Sequence, residues 1–172
     1  MAWLLNIINR ATLSSPKELL MKFFITYFYN IRFLPENSVP LSTAIWDPKW
    51  FHANMGQDYV FPDKRGVYNG LRIPELSPEK VEAHDCSKTC AQTPGECTFI
   101  KAYHNYIYSL DFNEVKNTLI EFSKGLKESR NLRSLPDVYL LVHEKPDNPC
   151  SERGTLIQWF RDNNVELKEF IP

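Results

Sequence analysis

The spacing of apolar residues changes from segment to segment along this chain, and each change marks an element. Residues 23–28, Phe-Phe-Ile-Thr-Tyr-Phe, are aromatic and β-branched without helical spacing and predict a buried strand. Pro35 and Pro40 bracket a turn, and residues 39–45 read as a second short strand. Residues 47–78 hold four prolines and no sustained period, which predicts a long irregular excursion whose aromatics pack over a surface. From Thr98 the period becomes helical: Phe99, Tyr103, Tyr106, Ile107 and Leu110 predict a helix ending near Ser109. Asp111 or Asn113 can cap the next helix, in which Val115, Leu119, Phe122 and Leu126 form a stripe. Residues 124–137 read as a polar link closed by Pro136.

The near-continuous apolar run Val138-Tyr139-Leu140-Leu141-Val142-His143 predicts a central parallel strand buried on both faces. Residues 144–149 follow as a loop, 155–163 as a helix with Leu156, Ile157, Trp159 and Phe160 inward, and 165–170 as an edge strand. Strand, loop, helix and strand in that order close a right-handed βαβ unit. The fold class expected is α/β: a small, mainly parallel sheet flanked by helices on both faces in a Rossmann-like three-layer arrangement, with a long irregular loop that carries cysteines.

Ahead of this pattern, residues 1–20 start apolar with Trp3-Leu4-Leu5, but Asn6, Asn9 and Arg10 break the run far short of a transmembrane span. The first basic residue, Arg10, follows the apolar run rather than preceding it, unlike a secretory signal. Residues 1–20 are expected to be an N-terminal extension or short helix, and residues 21–172 a single domain, with Met21 a second possible start. A cytoplasmic protein that engages no membrane is expected.

Composition changes this picture little. The chain has 172 residues, 43% hydrophobic and 24% charged, with a net charge of -1, which excludes wholesale disorder and the electrostatic footprint of a dedicated duplex-DNA binder. Lys124, Lys127, Arg130 and Arg133 form a local basic stretch that reads as a solvated helix end or, alternatively, as a nucleic-acid contact.

Chemistry concentrates in the loop that follows the apolar strand, His143-Glu144-Lys145-Pro146-Asp147-Asn148-Pro149-Cys150-Ser151-Glu152-Arg153. Ligands of open α/β sheets bind beyond the carboxyl ends of the strands, where helix N-termini favour anions. A cysteine in the first helical turn with Arg153 nearby would have its thiolate favoured, Arg153 can hold a carboxylate or phosphate bidentately, and Glu144 can act as acid or base or orient Arg153. The competing structural reading has Asn148 capping the helix, Pro149 at its first position, Cys150 as a small buried hydrophobe, and Glu152 and Arg153 in solvent.

The stretch Leu140-Leu141-Val142-His143-Glu144-Lys145-Pro146, then Cys150, Arg153 and Trp159-Phe160, resembles the domain of unknown function 488 (DUF488) family. Its members carry a strand ending in Glu-Lys-Pro and a Cys-His-Arg motif opening a Trp-containing helix. Thr26-Tyr27-Phe28, Leu34-Pro35, Val39-Pro40-Leu41-Ser42 and the span from Tyr103 to Leu110-Asp111 are similar to its earlier elements, so the resemblance covers roughly residues 21–170. It implies an α/β fold and no agreed activity. Ser151-Glu152 replaces the family's His, so any proton-shuttling role of that His is absent here. Carried over, Glu144, Cys150 and Arg153 form the candidate site, for which two functions are weighed. One is an enzyme or enzyme-like protein binding an anionic small molecule or nucleotide, with Cys150 as nucleophile. The other is a metal-stabilised module that contacts nucleic acid or protein without catalysis.

His84, Cys86, Cys90 and Cys97, spaced H-x-C-x3-C-x6-C, have the number and kind of donors for a structural zinc ion. An iron-sulfur cluster with Cys150 as a further ligand is the softer alternative, and unconnected free thiols the plain one. Disulfides do not suit the expected compartment.

Overall fold

A computed structural model describes residues 21–53, 68–81 and 97–172. Six strands, β1 (Phe23–Tyr27), β2 (Val39–Ser42), β3 (Phe51–Ala53), β4 (Tyr68–Arg72), β5 (Val138–Val142) and β6 (Leu167–Glu169), form one sheet in the order β3-β4-β2-β5-β1-β6. Every pairing is parallel. Three α-helices accompany the strands: α1 (Thr98–Tyr108), α2 (Phe112–Ser129) and α3 (Arg153–Asp162). The fold is a three-layer α/β arrangement, as the sequence predicts, with layers of unequal weight.

All three α-helices share one core with the residues that alternate toward a single side of the sheet. Phe23, Ile25, Val39, Leu41, Val138, Leu140 and Val142 meet Tyr103, Ile107, Leu119, Leu126, Leu156 and Phe160 there. The other side of the central strands is covered by a 3-10 segment, Phe28–Phe33, whose Phe28 and Ile31 pack with Leu141, Ala44 and Phe51. Handedness explains the division. From β1 through β2 to β3 the chain steps toward one edge, and from β4 through β5 to β6 it steps back to the other. Right-handed crossovers that travel in opposite directions must pass over opposite faces. The loops leaving β1 and β5, neighbours in the sheet, therefore part to opposite sides at their carboxyl ends, the topological position at which ligands bind in open α/β sheets.

Several boundaries differ from expectation. The second strand stops at Ser42, where the Ser42 and Asp47 side chains hydrogen-bond across the turn that follows. The excursion at residues 47–78 contains β3 and β4, short strands without alternation, and two 3-10 turns that begin at Pro74 and Pro78. Gly70 makes their packing possible: a Cβ there would lie 2.6 Å from the Phe51 ring and 2.9 Å from the Pro40 carbonyl oxygen. The polar link is shorter than expected, because α2 runs to Ser129 and carries Lys124 and Lys127. Asp111 caps α2, its carboxylate accepting from the Asn113 and Glu114 N-H groups. The N-terminal extension, residues 1–20, and residues 54–67 and 82–96 lie outside the described residues. Among the described residues no helix is long and apolar enough to cross a membrane.

Candidate functional site

Helix α3 begins at Arg153, later in the 143–153 loop than the capping reading requires. Asn148 does not cap it; its side chain accepts from the Cys150 N-H and closes a local turn. Cys150 therefore lies three residues ahead of the helix, half-buried and outside the first turn, so the helix dipole gives no support to an activated thiolate. Ser151, buried, accepts from the Arg153 N-H. His143 is exposed, its Nε2 meeting the Trp46 carbonyl oxygen and its ring 5.1 Å from that of Phe28.

Glu152 and Arg153 are not solvated. Each is only 5% exposed. Helical spacing explains why: Arg153 shares the face of Leu156 and Phe160, and Glu152 that of Leu156 and Trp159, all of them buried. The Arg153 Nε lies 2.8 Å from Oε2 of Glu169, the last residue of β6, which pairs with Ile25 of β1. This contact is an ion pair by distance with poor hydrogen-bond alignment, so Nε joins Nη1, Nη2, Glu144 Oε2 and Glu169 Oε1 as buried atoms without a hydrogen-bond partner among the described residues. Buried donors and acceptors left in this way cost about 1–3 kcal/mol each, which is why such groups collect at functional sites.

Glu144, half-buried, follows β5 by two residues and meets the Glu152 carboxyl. Burial first, then the negative charge and hydrogen bond of Glu144, push the Glu152 carboxyl up to about 8, against the pull of its own backbone N-H and of Arg153. At neutral pH Glu152 thus keeps its proton and can donate a hydrogen bond instead of repelling an anion. Burial also raises the Glu169 carboxyl, with Arg153 opposing. Beneath the cluster, Tyr103 is fully buried and donates to the Leu76 carbonyl at 2.7 Å; burial and the Glu152 charge hold its phenol well above the ordinary range.

The structure thus brings two of the three sequence candidates, Glu144 and Arg153, into one cluster, leaves Cys150 beside it, and adds Glu152 and Glu169. Of the proposed metal ligands, His84, Cys86 and Cys90 lie outside the described residues, and Cys97 is buried immediately before α1. Among the described residues no group of three or more His, Cys, Asp or Glu side chains is placed to hold a metal ion. Compared with protein-family models, curated proteins and solved structures, the chain matches none of them.

Proposed function

We propose that this protein, a relative of the domain of unknown function 488 family, binds an anionic small molecule or nucleotide at the carboxyl end of β5. One observation carries the reading: a guanidinium buried at the start of α3 has no hydrogen-bond partner for Nη1 and Nη2 among the described residues, although a carboxylate stands at its Nε. A carboxylate or phosphate would take those two donors bidentately. The neutral Glu152 removes the repulsion that a second buried carboxylate would exert, and can serve as the proton donor in an acid-base step with Glu144 as its partner. Glu144 enters from a loop whose residues 145–149 are exposed, so displacing that loop opens the cluster without moving a helix.

Titration calorimetry with inorganic phosphate tests the reading. Binding is expected in the wild type, lost in Arg153→Met, and weakened as the pH rises through about 8, where Glu152 loses its proton. Equal binding by the variant, or none by the wild type, overturns it. The set His84, Cys86, Cys90 and Cys97 is proposed separately as a structural zinc site at the head of α1. Elemental analysis of chelator-washed protein should then find about one zinc per chain, and its absence removes the proposal.

A further inference from the structure

The Arg153–Glu169 pair leaves an accepting oxygen beside two donors, and all three are out of water. Glu169 Oε2 takes the contact with Arg153 Nε at 2.8 Å, while Glu169 Oε1 and Arg153 Nη1 and Nη2 have no hydrogen-bond partner among the described residues. Oε1 shares a carbon with Oε2, and Nη1 and Nη2 share one with Nε, so each of these atoms is two bonds from the same contact. Covalent geometry thus keeps the acceptor and both donors within the span that one tetrahedral oxyanion bridges by hydrogen bonds. Paired with a guanidinium, the Glu169 carboxylate is ionised, and an ionised carboxylate accepts hydrogen bonds and donates none. Glu169 also lines a surface groove of about 600 Å³ between α3 and β6, with Ile157, Arg161 and Leu167, so one member of the pair borders open space.

Two donors and a bare acceptor make different demands on an anion. The donors take any pair of negatively charged oxygens. The acceptor does not: an oxygen without a proton leaves Oε1 unsatisfied and sets like charges against each other, whereas an O-H on the same anion satisfies it. Sulfate and simple carboxylates carry no proton at neutral pH, and inorganic phosphate keeps at least one. A phosphate monoester loses its last proton at about pH 6 and fits less well. We infer that Glu169 is a specificity-determining residue that makes the anion site selective for inorganic phosphate, two of whose oxygens accept from Arg153 while a P-OH donates to Glu169 Oε1. The inference rests on the reading of Arg153 as the anion partner, and narrows that reading to an anion that brings its own donor. Such a site works by rejection as much as by attraction, since it offers the wrong anion an unpaired acceptor where a partner is needed. Glu144 Oε2, the other buried carboxylate oxygen without a partner among the described residues, is joined to the group one step further off, through the Glu152 carboxyl.

Calorimetric titrations at neutral pH with phosphate and with sulfate, which has the same shape and the charge of the phosphate dianion, test the inference. The wild type is expected to bind phosphate at least about tenfold tighter than sulfate, a hydrogen bond to a charged group being worth that much. Glu169→Gln, whose amide both donates and accepts, should abolish the preference. Glu166→Gln, at an exposed position just ahead of β6, should leave it as in the wild type. Equal affinity for the two anions, both lost in Arg153→Met, overturns the selection while the anion site stands. A preference that survives Glu169→Gln, or that Glu166→Gln also erases, overturns the role of Glu169. Binding of neither anion, or binding that Arg153→Met leaves unchanged, overturns the anion site and the inference with it. The wild-type comparison decides the selection without any variant, so it holds should Glu169→Gln fail to fold.

Discussion

The first turn of α3 and the turn that follows it are equally hidden from water and built on opposite principles. Trp159 and Phe160 pack edge to face against Phe112, Phe160 also against Phe23, and Leu156 joins them in a core where Tyr103 is satisfied by the Leu76 carbonyl and Ser123 by that of Pro136. Glu152 and Arg153, in the residues just ahead, are as buried but meet Glu144 and Glu169 with Arg153 Nη1 and Nη2, Glu144 Oε2 and Glu169 Oε1 lacking a hydrogen-bond partner among the described residues. Burial stabilises the first group and is a cost for the second, whose charges leave water without full compensation. One helix thus joins the sheet through its later turns and holds a polar cluster at its start. A cluster that does not repay its burial in stability is better explained by what it binds.

The contrast can be broken most forcefully at Phe160, which has no exposure and touches both Phe23 and Phe112. Phe160→Ala should cost about 3–5 kcal/mol of unfolding free energy in a urea titration. A loss below about 1 kcal/mol would mean that the core side of α3 is not what fixes it.

Comparable in size is the dependence on pH. The Glu152 carboxyl ordinarily titrates near 4.5 and in the folded protein near 8, so the native state binds the extra proton between those values. Its contribution is greatest below 4.5 and is lost as the pH rises toward 8, by an amount on the order of 4–5 kcal/mol. Glu169, raised in the same direction, adds to the slope; burial first and then the Glu144 charge set the direction of the Glu152 shift, with its own backbone N-H and Arg153 opposing. Urea titrations at a series of pH values should show wild-type stability falling across this window and Glu152→Gln flattening the fall. A wild-type curve that rises across it would place Glu152 as an ordinary paired carboxylate.

Arg153→Met should have a smaller effect on folding. The Met side chain fills the apolar part of the space, and Glu169, already raised, can take up a proton in place of its lost partner. A change within about 2 kcal/mol of the wild type, in either direction, is expected alongside the loss of phosphate binding. If the variant unfolds as readily as Phe160→Ala, the pair is a structural ion pair and the contrast within α3 fails.

The same two turns show what could be read in the sequence. β5 and the apolar stripe of α3 were legible because a run from Val138 to Val142, and Leu156, Trp159 and Phe160 at helical spacing, each fit one period. β3 and β4 were not, since strands of three and five residues without alternation look like loop, and the contact that fixes them is a ring lying over Gly70. Glu144 and Arg153 stood out by their place at a strand end. Glu152 was overlooked because a charged residue is assigned to solvent by default, although its spacing to Leu156 and Trp159 puts it on the buried face. Glu169 carried a fainter signal of the same kind, two residues beyond buried Leu167 and therefore on its side of the sheet.

Phe33 gives the smallest effect on stability and the sharpest separation of the two kinds of surface. Its ring is half exposed and touches Tyr29, itself half exposed, so truncation removes little that folding has buried. Phe33→Ala should shift the urea midpoint by no more than about 0.5 kcal/mol in free energy. Set beside the loss at Phe160, a phenyl group of the same size in the same protein, this difference would show that Phe33 is held out of the core. A cost approaching that of Phe160→Ala would instead make Phe33 part of the packing around Phe28 and Ile31, and the two phenyl groups would no longer mark two kinds of surface.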